Sequence, residues 1–176
     1  ISNEYHGECH CPLCQEAFRD FLKKKYGSLA ELNPAWWTGF WSKKYTSWEQ
    51  IESPSPIGEQ AVQGLELDWK RFVTAQTVEF MNMEIRAVRK YSSEIPVTTN
   101  MIGSFLEVDY HRMAEHLDFT STDCYPEWGR LSDRETAIQA GFEYDVIRSL
   151  KREPFWLMET TPSMTNWAEV GKPKAP

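Results

Sequence analysis

A chain of 176 residues, 41% hydrophobic and 26% charged, has the composition of one globular domain or a piece of one, below the roughly 250 residues of a closed (β/α)8 barrel. A net charge of −7, with basic residues scattered apart from Lys23 to Lys25, excludes nucleic acid as an expected partner, and no apolar run approaches the ~20 residues that span a bilayer. The chain opens on Ile1 with neither a charged n-region nor an apolar h-region, so a cytoplasmic location is the expectation.

The opening Ile1-Ser2-Asn3 reads as the last residues of a buried strand. Pro12 suits a first helical turn through its fixed φ and missing N–H, and the predicted helix runs past Phe18, Phe21 and Leu22 to Tyr26, with Gly27 as its stop. Ser28 with Glu31 is a capping-box pattern that opens a second short helix, ended by Asn33-Pro34. Ala35 to Trp48 has no clean period and is read as loop with short helical turns.

Leu65 to Tyr91 is the longest predicted helix, because Leu65, Trp69, Phe72, Phe80, Met83 and Ala87 fall on one stripe. A β-rich run follows at Pro96 to Met101, then a helix over Glu107 to Leu117 and a strand at Phe119 to Asp123. A helix over Asp133 to Leu150, with Ile138, Phe142, Val146 and Leu150 turned inward, precedes a last strand at Phe155 to Met158.

Strands that alternate with amphipathic helices predict βαβ units and a parallel sheet. Every predicted strand closes on a group capable of chemistry: Asn3-Glu4, Asn100, Asp123 with Tyr125, and Glu159. Functional groups gather at the C-terminal strand ends of a (β/α)8 barrel, and the pattern is that of half such a barrel.

Glu4 and Glu159, on the first and last strands, are the equipment for glycoside hydrolysis, in which one carboxyl protonates the leaving oxygen and the other attacks the anomeric carbon. The competing reading is two unrelated carboxylates used as caps or surface ion pairs. Cys9, Cys11 and Cys14 lie too close together to pair with one another without strain, whereas a turn entering a helix can wrap one Zn2+ with three thiolates and a fourth ligand from elsewhere. Reduced free thiols are the alternative. His6 and His10 are conceivable fourth ligands, ranked below a Cys outside these residues, and Cys124 reads as a lone small residue near the cleft. The eight Trp either fill the core or stack on sugar rings, and composition does not choose between these uses.

In combination, Asn3-Glu4-Tyr5, the Cys-x-Cys-x-x-Cys run, Ala35-Trp36-Trp37-Thr38 with Phe40-Trp41-Ser42, Ile51-Glu52-Ser53-Pro54, Asp123-x-Tyr125-Pro126, Met158-Glu159, Pro162-Ser163 and Asn166-Trp167 resemble the bacterial β-galactosidases of glycoside hydrolase family 42. The resemblance covers essentially the whole chain. It implies that residues 1–176 are part of one catalytic (β/α)8 TIM barrel, roughly strands 4 to 7, with no second domain present. It also implies Glu4 as general acid/base, Glu159 as nucleophile, Asn3 on the sugar 2-hydroxyl, Tyr125 against the nucleophile, and Trp41 and Trp167 lining the galactose pocket.

By the same resemblance Cys9, Cys11 and Cys14 hold a structural zinc whose fourth ligand lies outside this chain, and the assembly is a homotrimer. The family usually reads Ser-Trp-Asp before Tyr-Pro, where this chain has Ser121-Thr122-Asp123-Cys124, a change that touches pocket packing. The resulting expectation is a retaining β-galactosidase acting on a galactoside or oligosaccharide, with α-L-arabinopyranosidase activity as the near alternative. From a different class comes a truncated, zinc-stabilised sugar-binding remnant without catalysis, which a galactoside assay separates from the enzyme.

Overall fold

A computed structural model describes residues 1–54, 62–102, 108–127 and 130–160. They form two compact units, one of Ile1–His6 with Thr77–Pro176, the other Gly7–Gln76.

The Gly7–Gln76 unit is helical. Helix α1, Pro12–Tyr26, begins on its proline and stops at Gly27, whose φ of 75° is open to glycine at little cost. Lys23, Lys24 and Lys25 in its last turn complement the negative end of the helix dipole. Helix α2, Leu29–Ala35, is capped by the Ser28 side chain accepting from the Glu31 N–H, and it runs through Pro34, past the predicted stop. The predicted irregular stretch contains two 3-10 turns, Thr38–Trp41 and Trp48–Gln50.

Aromatic packing builds this unit's core. Phe18 meets Trp69 edge-on at 5.0 Å between centroids and Phe72 at 5.4 Å. Leu22, Leu32 and Ile51 are fully buried around them. A Cβ at Gly64 would overlap the Trp36 ring, so only glycine lets helix α3, Gln63–Arg89, approach that closely. Buried Asp68 on α3 is compensated by Lys25, Tyr26 Oη at 2.7 Å, Trp36 Nε1 at 3.0 Å and Arg71 at 2.9 Å. Those donors hold its carboxyl below the usual range although burial pushes the other way.

The predicted apolar stripe of α3 is correct for Leu65, Trp69 and Phe72 but not beyond. Phe80 and Met83 are exposed and Met81 is fully buried instead, on the line that runs through Leu65, Trp69 and Val73 four residues apart and reaches Met81 two such steps further on. The spacing of the apolar residues alone does not reveal that turn of face.

The other unit contains a three-stranded sheet in the order β1 (Asn100–Ile102), β2 (Ser121–Cys124), β3 (Trp156–Thr160), all parallel. Helix α4, Tyr110–Ala114, lies between β1 and β2 in the chain, and α5, Asp133–Lys151, between β2 and β3. The short α4 is capped by Asp109, and α5 by a complete Ser132–Glu135 capping box. Two βαβ repeats are the expected architecture.

Strand β2 is entirely buried although it reads Ser-Thr-Asp-Cys. Its hydroxyls are satisfied across the ladder, Ser121 Oγ donating to the Thr99 carbonyl and Thr122 Oγ1 to that of Met101, each at 2.8 Å.

Two expectations are corrected here. Ile1 to Asn3 carry no ladder pairing among the described residues, and the tie to the run before β1 is Thr99 Oγ1 donating to the Ser2 carbonyl at 2.7 Å. On α5, Ile138, Phe142 and Val146 are exposed at 59%, 64% and 38%, while Thr136 and Ile147 are buried. The helix is thus turned by about one residue from the predicted inward face, which selects Ile147 in place of Val146.

Candidate active site

The C-terminal ends of β2 and β3 bring two carboxyls together through an irregularity of the ladder. Ser121 pairs with Trp156 and Thr122 with Leu157, but Asp123 then pairs with Glu159, so Met158 is passed over. Side chains alternate along a strand, and an uninterrupted register would have put Met158 opposite Asp123. The bulge reverses that parity and aims Glu159 at Asp123.

Glu4 completes the group from the N-terminal segment. Carboxylate oxygens of Glu4, Asp123 and Glu159 all lie within 4.8 Å of one another. Asn100 at the start of β1 binds two of the three, its Nδ2 donating to Asp123 Oδ2 at 2.8 Å and to Glu159 Oε1 at 3.0 Å. The Tyr125 hydroxyl donates to the other Glu159 oxygen, Oε2. That hydrogen bond, together with burial and the nearby negative charges, pushes the Tyr125 phenol up to about 12, so it remains a neutral donor at ordinary pH.

Asp123 is 2% exposed. Burial pushes its carboxyl up to about 6, against the Asn100 hydrogen bond, and the neighbouring charges of Glu159 and Glu4 act in the same direction as burial. Its Oδ1 is buried, with no donor placed on it among the described residues and the Glu4 carboxyl beside it.

The segment carrying Glu4 is clamped by α3. Glu84 accepts from the Ser2 N–H at 3.1 Å, from Ser2 Oγ at 2.5 Å and from the Tyr5 hydroxyl, thus from residues on both sides of Glu4. Burial alone would raise the Glu84 carboxyl, yet these donors hold it below the usual range. Burial and the Glu84 contact raise the Tyr5 phenol. Tyr5 also packs edge-on against Phe80 at 6.1 Å.

A second cluster lies in the helical unit. The sulfurs of Cys9, Cys11 and Cys14 are within 4.8 Å of one another, and all three are free thiols. The Cys14 backbone and the neighbouring thiols bring Cys11 down to about 7, while Cys9, burial and Cys11 push Cys14 up to about 12, the behaviour of thiols sharing protons. A soft thiolate triad at the start of a helix fits a tetrahedral zinc site. His10 is turned to other work: its Nδ1 meets Ser53 Oγ at 2.8 Å, its Nε2 meets Glu8 at 3.3 Å, and its ring stacks on Trp69 at 5.1 Å. His6 Nδ1 meets the Glu4 carbonyl oxygen at 2.6 Å. Cys124 is buried, with its thiol pushed up to about 11 by that burial.

Of the sequence-predicted site residues, Glu4, Glu159 and Tyr125 are brought together, and Asn3 is exposed next to Glu4. The Trp41 backbone closes the 3-10 turn Thr38–Trp41, and its side chain, like all of Trp167, lies outside the described residues. Sequence reasoning noted Asn100 and Asp123 as polar strand-end residues without giving them a role. It missed Glu84, a glutamate on a long helix with no local pattern to single it out.

Among known proteins, the family profile described as Beta-galactosidase, of glycoside hydrolase family 42, matches residues 1–176. The β-galactosidase BglY of Alicyclobacillus acidocaldarius is 52% identical over 180 residues, covering 100% of this chain and 26% of that protein. GanA of Bacillus subtilis is 50% identical over 185 residues, with 100% and 28% covered. Among solved structures, the β-galactosidase of a Rahnella species superposes with a TM-score of 0.93 at 49% identity, over 100% of this chain and 26% of that one. A catalytic mutant of Gan42B, a family 42 β-galactosidase from G. stearothermophilus, gives 0.91 at 54%, over 99% and 27%. This chain therefore spans about a quarter of the length of these relatives. Its parallel strands and connecting helices are a segment of a (β/α)8 barrel, the fold class expected from the strand-helix alternation.

Proposed function

Because the chain belongs to glycoside hydrolase family 42, the β-galactosidase family, we propose that Glu4 and Glu159 are the two carboxyls of a retaining β-galactosidase. The observation that carries this reading is the convergence of their oxygens to within 4.8 Å, a separation that suits direct attack on the sugar, not attack through an interposed water.

Glu159 is the nucleophile. Tyr125 and Asn100 donate to its two oxygens, so the carboxylate is fixed in rotation before substrate arrives. Its attack on the anomeric carbon forms a glycosyl ester while Glu4 gives its proton to the departing oxygen; Glu4 then takes a proton from water, which displaces Glu159 and releases galactose with net retention. Asn3, exposed beside Glu4, serves the sugar 2-hydroxyl, and Trp41 and Trp167 supply apolar faces for the ring, roles carried over from the family resemblance. The substrate is a terminal β-galactoside and the assembly a homotrimer.

In the complete polypeptide that carries these residues, Glu159→Gln is expected to abolish hydrolysis of an aryl β-galactoside. Glu4→Ala is expected to lose most of it and to regain turnover when azide is added. Unchanged turnover in either variant overturns the assignment.

Cys9, Cys11 and Cys14 are proposed to hold a structural zinc, supported by the proximity of their sulfurs, with a fourth ligand from outside this chain. Bound there, zinc would staple the entry of α1 and take no part in the reaction. About one zinc per chain by elemental analysis, lost in Cys11→Ser together with a lowered Tm, is the expected result; a zinc-free protein of the same Tm overturns it.

A further inference from the structure

Asp123 is absent from the double displacement above, yet it is the most buried carboxyl of the cluster, at 2% exposure, on a strand whose four residues are all buried. A carboxyl in such a place costs several kcal/mol to keep ionised unless something is gained from it.

Its carboxyl lies beside those of Glu4 and Glu159, and the donor that reaches it is Asn100. The Asn100 amide nitrogen carries two hydrogens, and both have an acceptor in place, Asp123 Oδ2 at 2.8 Å and Glu159 Oε1 at 3.0 Å. Because a carboxylate accepts and cannot donate, Asp123 fixes which end of the amide faces the site: the nitrogen inward, the oxygen turned away. Without it the amide has a second orientation, in which its carbonyl oxygen would face Glu159 and repel the nucleophile. The register bulge that skips Met158 places Glu159 opposite Asp123, so the same irregularity delivers the nucleophile to both groups.

We propose that Asp123 is a positioning residue for the nucleophile, acting through Asn100. It locks the amide so that one N–H is committed to Glu159 Oε1, and its carboxyl lies beside those of Glu4 and Glu159. The proposal rests on the reading of Glu159 as nucleophile. The titratable groups facing Asp123 are Glu4 from the N-terminal segment, Glu159 from β3 and Tyr125 beyond the end of β2, with Asn100 from β1 as the neutral bridge. The raised Asp123 carboxyl, about 6, is consistent with this setting.

The test is the pH dependence of aryl β-galactoside hydrolysis by the complete polypeptide carrying Asp123→Asn, Asn100→Ala, or both. Asp123 is itself protonated below about pH 6, so Asp123→Asn removes a negative charge only above that value, and the basic limb of its kcat/KM profile is expected to move to lower pH. Its kcat should fall about 10- to 100-fold with little change in KM, since rotation of the nucleophile affects reaction more than binding. The double variant should be no slower than the worse single one, because both changes act through the same Asn100 contact with the nucleophile.

A change of packing alone would lower Tm and leave the basic limb in place, and that outcome overturns the proposal. Wild-type kcat in Asn100→Ala overturns it as well, even if Asp123→Asn fails to fold. Failure of the underlying reading is separable, because turnover by Glu159→Gln would dismiss the nucleophile, whereas an inactive Glu159→Gln beside an unaltered Asp123→Asn dismisses only the role given to Asp123.

Discussion

Glu4 has a φ of 49°, in the left-handed region that a residue with a side chain enters at a cost of about 1 kcal/mol or more. A carboxyl proposed as the catalytic acid and held in such a conformation needs an outside constraint, and Glu84 supplies it through the Ser2 backbone, the Ser2 hydroxyl and the Tyr5 hydroxyl. Glu84 thus anchors the chain on both sides of Glu4 although it is not itself a member of the carboxyl cluster. Glu84→Ala is expected to lower kcat for an aryl β-galactoside about 10- to 100-fold, the usual consequence of misplacing a reacting group by about an ångström. Tyr5→Phe, which removes one of the three donors, should fall between this variant and the wild type in the same assay; parity of both variants with wild type would show that Glu4 holds its place unaided. Glu4 and Glu159 were legible in the sequence because each follows an apolar lead-in at the edge of a predicted strand. Glu84 was not, since its partners lie some 80 positions away in sequence, a separation of 82 to Ser2 and 79 to Tyr5, and no local pattern encodes them.

The elements whose ends are written in local chemistry are those that sequence reasoning places correctly. Pro12 and Gly27 bound α1, Ser28 with Glu31 starts α2, and Ser132 with Glu135 starts α5: the proline has no N–H to satisfy, and at the other ends a backbone group is satisfied within a few residues. Facing is different, for it depends on what packs from outside. Met81 replaces Phe80 and Met83 on α3, and Ile147 replaces Val146 on α5, both one-residue rotations that an apolar stripe read alone cannot resolve. Strand β2 shows the opposite limit: Ser121 and Thr122 look like surface residues by composition, yet their hydroxyls find carbonyls across the ladder and so can be buried. The bulge before Asp123 is likewise invisible to period-2 reading, and it is what puts Glu159 in the site. The alternation of strand and helix was enough to indicate a barrel segment, while the register that makes the segment useful was not encoded in that alternation.

At the scale of the whole molecule, the sheet ends on strands that pair on one side only among the described residues. β1 and β3 are its outer members, and β3 exposes Trp156 at 62%, Leu157 at 42% and Met158 at 41%. A strand with free N–H and C=O groups and an apolar surface is a template for pairing with another chain. The chain also spans only about a quarter of the length of its relatives, in which further sequence accompanies the matched part. Residues 1–176 produced alone are therefore expected to self-associate through β3 and to hydrolyse an aryl β-galactoside no faster than background. Sedimentation over a range of concentrations should show a mass that rises with protein. Leu157→Lys, which places a charge on the exposed strand, should hold the mass closer to the monomer, because a charged side chain obstructs edge-to-edge pairing. A chain that stays monomeric at every concentration would mean that β3 is already shielded. A chain that turns over galactoside at a measurable rate would mean that Glu4 and Glu159 keep their separation without the rest of the barrel.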